Sequence, residues 1–247
     1  MKTTFKYVVS GTFLVAFCAL LASFTISRAI LEERVRGNGQ MKSESRTAGN
    51  FNKISTGGVY HVELQQGSTN SIQIDAEENL LPYIETNISG NQLEIYTRKG
   101  INIDPTKKII VHVTIQQVKK LTASGACSFT GKGPIKSDDL EVVLSGATSA
   151  DLNLAARKLE VGMSGASQVD LKGTCSEVSY GASGAAHINA LDFQTQEVKV
   201  AISGSGEAKV FAEKKLDVSV SGVGKVRYKG SPAVTQSVSG MGNVRPI

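Results

Sequence analysis

The 247-residue chain contains no tryptophan, and aromatic residues make up only 6% of it. That shortage fits poorly with an enzyme built around a broad aromatic-lined cleft. Cysteine is almost absent as well. Cys18 falls in the N-terminal leader, so only Cys127 and Cys175 remain beyond it. These two stand at different points of the repeats described below, which places their Cα atoms too far apart for a disulfide. Two small, semi-buried thiols are expected instead. An excess of charge of one sign is missing too. The formal net charge is +5, but three of the 27 basic residues, Lys2, Lys6 and Arg28, lie in an acid-free leader, leaving 24 against 22 acidic residues. No basic stripe or aromatic-flanked basic patch remains, which argues against a nucleic-acid partner.

What is abundant is glycine, 25 residues, alongside 40% hydrophobic residues. The hydrophobic fraction is enough for a real core, and the composition is not that of a disordered chain. The leader, residues 1–29, has the parts of an export signal. Lys2 and Lys6 form a basic start, an apolar run extends from Tyr7 to Ile26, and Ser27-Arg28-Ala29 offers small residues for cleavage. The run is long for a signal peptide, so cleavage and retention as an N-terminal anchor both stay open. Bulky Phe17 before Cys18 disfavours lipidation. The predicted location is outside the cytoplasm: periplasm, outer membrane or cell surface.

Internal repetition decides the fold class. Ser-Gly recurs as Ser124-Gly125, Ser145-Gly146, Ser164-Gly165, Ser183-Gly184, Ser203-Gly204, Ser221-Gly222 and Ser239-Gly240. The period is 18–21 residues. Aligned on the serine, the positions one, three and five before it are mostly apolar, as in Leu140, Val142 and Leu144. The positions five and seven after it are also mostly apolar, as in Val169 and Leu171, while the position between them is polar. This period-two alternation marks strands with one buried face. Each repeat reads as strand, Ser-Gly bend, strand, then a variable polar loop such as Lys214-Lys215 or Gly230-Ser231-Pro232. Such a unit cannot bury its own apolar face, but stacked copies fuse their columns into one core. The aligned serines are positioned to hydrogen-bond up the stack.

The reading is therefore an all-β chain: a single right-handed parallel β-helix of about seven Ser-Gly-centred rungs, with irregular β coils at its N-terminal end. The gaps of 19–21 residues do not suit a left-handed hexapeptide helix, and a propeller blade needs about twice this period. Residues 30–49 are polar and aperiodic and read as a linker. Residues 50–247 form the domain, with N-terminal coils over 50–117 and Ser-Gly repeats over 118–247. In the coils, strands are expected at Val59–Leu64, Ser71–Ile74, Leu93–Tyr96 and Ile109–Ile115, with a helical turn at Glu77–Leu81.

The segments ERVRGNG (33–39), FNKISTGGVYHVELQQG (51–67) and AEENLLPYIETNI (76–88), together with the run of SGA and SGxG repeats, resemble the head GIN domains of the "putative auto-transporter adhesin" family. The resemblance spans roughly residues 34–247. It implies an exported, envelope-associated β-solenoid. The sequence shows no C-terminal β-barrel translocator, so the expectation is a head without its own translocator.

The candidate chemistry is sparse. Asp151 and Asp170 share an outward column on consecutive rungs. Clustered acids on a β-helix face would suit a polysaccharide hydrolase or lyase, if closeness raised one pKa. The column runs Thr130, Asp151, Asp170, Asn189, Lys209, Arg227, Arg245, which reads better as a solvated face. Ser167, Asp170 and His187 are too far apart for a triad. His61 and His112 lack ligand-spaced neighbours for zinc. Gly204-x-Gly206, Gly222-x-Gly224 and Gly240-x-Gly242 precede no helix, so they are structural rather than phosphate-cradling.

The favoured function is a non-catalytic binding or adhesin-like module without cofactors, using a long flat face. Its column two before the serine (Thr122, Val143, Gly162, Gly181, Ala201, Ser219, Ser237) is mostly small-residued and lets a partner approach closely. Phe129, Tyr180 and Tyr228 point inward, leaving only Phe193 and Phe211 near turns for stacking on sugars. The expected partner is an envelope protein or polysaccharide, with membrane contact only through an uncleaved leader. A monomer is expected, with Arg245 and Pro246 guarding the last rung against strand addition.

Overall fold

The computed structural model describes residues 33–247, and the leader lies outside them. In chain order the strands are β1 (Glu33–Arg36), β2 (Met41–Arg46), β3 (Lys53–Gly58), β4 (Tyr60–Gln66), β5 (Ser71–Glu77), β6 (Ile84–Ser89), β7 (Gln92–Thr97), β8 (Ile101–Asp104) and β9 (Ile109–Ile115). The repeats supply β10 (Lys120–Gly125), β11 (Ser128–Gly146), β12 (Ser149–Gly165), β13 (Gln168–Gly184), β14 (His187–Gly204), β15 (Glu207–Gly222), β16 (Lys225–Lys229), β17 (Ala233–Gly240) and β18 (Asn243–Pro246). The fold is a parallel β-solenoid of about seven turns.

The repeat register is the one the sequence sets. Ser124 pairs with Ser145, Ser145 with Ser164, and so on through Ser183, Ser203 and Ser221 to Ser239. Leu144, Val161, Val200 and Leu216 from the leading strands, and Val169 and Val210 from the trailing ones, are buried in one continuous core. Pairing does not lapse in the segment read as a loop. Pro134–Ser137 pairs with Asn153–Ala156, which continues onto Lys172–Cys175. Ile135, Leu154, Phe193 and Ala212 are buried along this stretch. Phe193, expected near a turn, is fully enclosed.

The glycine of each Ser-Gly bend is fixed by two constraints. Its φ is positive, from 80° at Gly165 to 114° at Gly204. It also lies against the glycine one coil below, and a Cβ on any of the seven would stand 2.6–2.9 Å from that neighbour's carbonyl oxygen. No other residue meets both conditions. The serines, by contrast, are exposed, and among the described residues no hydroxyl of this column bonds to the next, so the expected serine ladder does not form.

The SGxG coils have a packing origin. The third residue after the serine points inward, as Cys127, Thr148, Ser167 and Ala186 in coils one to four and Gly206, Gly224 and Gly242 in coils five to seven. In those last three coils the residue before the serine is β-branched. A Cβ on Gly224 would stand 2.7 Å from Val220 Cγ1, and one on Gly206 3.0 Å from Ile202 Cγ2. Glycine there makes room for a branched neighbour.

The N-terminal region departs from the expectation in two ways. First, β3 and β4 form one more regular coil, with Gly57 in the serine's place and Gly58, at φ 132°, in the glycine's. Ile54, Thr56, Tyr60, Val62 and Leu64 take the inward positions and are buried. The chain then leaves the stack and covers its end. β7 pairs with β3 and β9 with β4, both in parallel, and only then does β10 resume on the other side of β3. β4 and β5 do not pair with each other across Gln66–Ser68; β9 lies between them. The helical turn is a single 3-10 turn at Leu81–Tyr83, a few residues later than expected because Pro82 fits its first turn.

Second, residues 33–46 are not a tether. β2 pairs antiparallel with β5, and β1 pairs parallel with β8. Glu77 holds this segment in place. Its fully buried carboxylate accepts hydrogen bonds from the Gly39 N–H (2.5 Å), the Thr106 N–H (2.8 Å) and the Thr106 hydroxyl (2.6 Å). Asn79 adds a bond to the Arg36 carbonyl and accepts one from the Asn38 N–H. The segment lacks periodicity because it is pinned by such bonds rather than by an apolar stripe.

Candidate functional site

Two lateral surfaces stand out. The first is the face carrying the exposed serines and the column two residues before them. Gly162, Gly181, Ala201 and Ser219 lie side by side on four coils, and with Ser145, Ser164, Ser183, Ser203 and Ser221 they line a shallow trough of about 640 Å³. A Cβ on Gly162 would meet nothing within 4 Å, and one on Gly181 only the Val161 carbonyl oxygen at 3.9 Å. These two glycines are therefore not required by packing, unlike those of the bends.

The second surface is a cleft of about 1380 Å³ at the corner where each coil ends and the next leading strand begins. It is lined by Gln66, Gln116, Gln117, Lys136 and Asp138 and runs on to Arg157, Lys158 and Glu177. Asp139 pairs with Arg157, and Lys158 pairs with Glu160 at 2.6 Å. Gln66 joins three layers here, donating to the Gln116 and Lys136 carbonyls and accepting from the Lys136 N–H. A smaller pocket of about 420 Å³ shares Gln116 and Gln117 with it and adds Asn50, Phe51, Asn52, Asn70 and Asn91. Asn52 Oδ1 is shut off from solvent without a hydrogen-bond partner. Leaving such an oxygen unmet costs about 1–3 kcal/mol. Sequence reasoning missed this site, because its residues come from separate loops between strands and share no repeat spacing.

The acids singled out from sequence stand on one outward column. Asp151 and Asp170 are register partners on adjacent coils, Asp151 exposed and Asp170 half-buried. Asp170 accepts hydrogen bonds from Gln168 (2.7 Å) and Asn189 (3.1 Å). Neither lines the cleft or the trough. Ser167 is buried against Thr148, with its hydroxyl donating to the Ser164 carbonyl at 2.9 Å, while His187 is exposed. The three residues of the supposed triad thus belong to different environments.

His112 does have acidic neighbours, contrary to the sequence reading. Its Nδ1 lies 3.1 Å from Glu63 and its Nε2 2.9 Å from Asp75. The contacts arise because β9 sits between β4 and β5, a pairing that spacing does not reveal. Among the described residues no group of three or more His, Cys, Asp or Glu side chains is arranged to hold a metal ion. His61 Nδ1 lies 2.7 Å from Ser128 Oγ, and burial followed by the charge of Lys108 lowers its pKa. Cys127 and Cys175 are free and buried, and burial pushes both thiols up.

The geometry defines a β-solenoid that offers lateral surfaces. Its sequence matches the family described as "Putative auto-transporter adhesin, head GIN domain" over residues 50–232, and the chain belongs to that family. It is similar in fold to the crystal structure of a "putative adhesin" from Bacteroides fragilis, with TM-score 0.82 and 24% identity over 86% of this chain and 100% of that one. A "putative adhesin" from Parabacteroides merdae matches with TM-score 0.65 and 28% identity over 87% and 99%. A "putative lipid binding protein" from Parabacteroides distasonis matches with TM-score 0.69 and 23% identity over 87% and 100%. Among curated proteins none matches the chain.

Proposed function

We propose that this chain is an exported, non-catalytic, adhesin-like module of the cell envelope that binds through its flat lateral face. The observation that carries the reading is the trough across four coils, where Gly162 and Gly181 leave room that the fold does not need. A row of small outward residues lets a partner's surface approach the sheet closely, and the rigid stack loses little entropy on binding. The family's description and the adhesin names of similar structures support the adhesin-like reading. The basic and apolar leader supports export.

The test is retention of envelope proteins and polysaccharides on immobilised residues 30–247, compared with a Gly162→Val, Gly181→Val variant. A partner held by the parent and lost from the variant is expected. Equal retention of every partner by both would show that the trough is not the binding face.

A further inference from the structure

We propose that the carboxamide-lined pocket at the N-terminal end, together with the cleft that adjoins it at Gln116 and Gln117, binds an uncharged polysaccharide chain. This goes beyond the lateral-face reading, because it uses a different surface.

Six of the seven residues lining the pocket are asparagine or glutamine. Two of them serve the fold. Asn70 donates to the Gly49 and Phe51 carbonyls and accepts from the Gln116 N–H, and Gln116 donates to the Ser68 carbonyl. The other four, Asn50, Asn52, Asn91 and Gln117, make no side-chain hydrogen bond among the described residues. Two of these main chains are held: the Asn91 carbonyl accepts from the Asn52 and Lys53 N–H groups, and the Asn52 carbonyl from that of Lys119. Four carboxamides thus line one cavity without a side-chain partner among the described residues, two of them, Asn52 and Asn91, fixed at their backbones. Turning the Asn52 amide over would exchange the unmet oxygen for an unmet nitrogen, so its buried end lacks a partner in either orientation.

The chemistry selects the ligand class. A carboxamide presents a donor and an acceptor in one plane, which matches neighbouring hydroxyls on a sugar ring, each of which both donates and accepts. The adjoining cleft carries four basic and five acidic side chains, two pairs of which neutralise each other. That balance gives no field to hold a polyanion or a polycation. A peptide strand is disfavoured too, since the backbone beside the cleft is already paired from coil to coil. The cleft crosses the coils of Lys119, Asp139, Lys158 and Glu177 beyond that of Asn52, a run of about 19 Å at ~4.8 Å per coil. Such a groove accepts several sugar units of one chain. Phe51 is only 5% exposed, so recognition rests on hydrogen bonds rather than stacking. Each site is then weak, and many copies on a surface give the adhesion by avidity.

Affinity electrophoresis of the folded chain through gels containing dextran, mannan or galactan, and separately alginate, tests the proposal. Asn91 and Gln117 are exposed, so Asn91→Ala with Gln117→Ala, and Gln117→Trp as a blocking variant, leave the core untouched. Retardation by at least one neutral polysaccharide, weakened at least tenfold in both variants and unchanged in Asp151→Asn, Asp170→Asn, which lie outside the pocket and the cleft, is the expected result. Retardation by alginate alone, by none of the polymers, or equally in parent and cleft variants would overturn it. Loss only in the Gly162→Val, Gly181→Val variant would assign the glycan to the trough instead.

Discussion

Gly146 lies directly over Gly125: the Ala147 N–H donates to the Gly125 carbonyl at 2.8 Å, and a Cβ on Gly146 would stand 2.6 Å from the same oxygen. The contact recurs from coil to coil, so every bend brings two backbones too close for a side chain. Gly146→Ala must move that carbonyl and strain a residue held at φ 93°. A loss on the order of 3 kcal/mol is expected, read as a fall in the midpoint of thermal or urea unfolding. An unchanged midpoint would mean the coils can slide apart at their bends.

Neighbouring residues on one strand should respond oppositely to charge. Leu144 is fully buried, whereas Val143 faces outward. Leu144→Asp is expected to cost on the order of 4 kcal/mol through an unpaired buried carboxylate, while Val143→Asp stays within about 0.5 kcal/mol. Circular dichroism melts of the two variants check this, and similar shifts would show the face assignment to be wrong.

Glu77 makes stability depend on acid. Burial by itself would raise its pKa, but the hydrogen bonds from Thr106, Gly39 and Lys107 outweigh burial and hold the carboxyl below its ordinary value. A carboxyl depressed in the folded state stabilises it above the unfolded pKa, about 4.3 for glutamate, and loses that contribution as pH falls through the folded pKa. Glu77→Gln is therefore expected to destabilise the chain at pH 7 and to flatten its loss of stability below about pH 4. Hydrogen exchange at Gly39 and Thr106 should rise in the variant, and protection equal to the parent's would remove Glu77 as the clamp.

The lateral glycines should trade stability against binding. Glycine within a strand costs roughly 0.5–1 kcal/mol relative to alanine, and Val143 shows that valine fits the column. Gly162→Val with Gly181→Val is expected to raise the melting temperature while weakening partner retention. A rise in stability with binding intact would leave the small column as mere tolerance.

Asp151 and Asp170 are expected to be dispensable. They stand on an open face with no wall to exclude water, and separated carboxylate pKa values need one. A reducing-end assay with neutral and acidic polysaccharides should show no turnover, and Asp151→Asn with Asp170→Asn should leave binding intact. Turnover that disappears in the double variant would make the pair catalytic.

The sequence by itself determined the stack. Each repeat has its neighbour one period away, so the alternation of Leu140, Val142 and Leu144 specifies both the buried face and the register, and Gly146 follows from a bend that no side chain fits. It also held an earlier coil, since Ile54, Thr56, Gly57, Gly58, Tyr60 and Val62 repeat the columns with glycine in the serine's place. The missing serine hid it. Tertiary structure alone decided how the end is closed. Where β9 enters between β4 and β5, neighbours lie 30 to 50 residues apart with no period to announce them, and the pairing is chosen by long-range hydrogen bonds and burial. The same is true of Glu77 on Gly39, of His112 between Glu63 and Asp75, and of the amide pocket. Those contacts join side chains from segments that share no pattern, and only the folded chain brings them together.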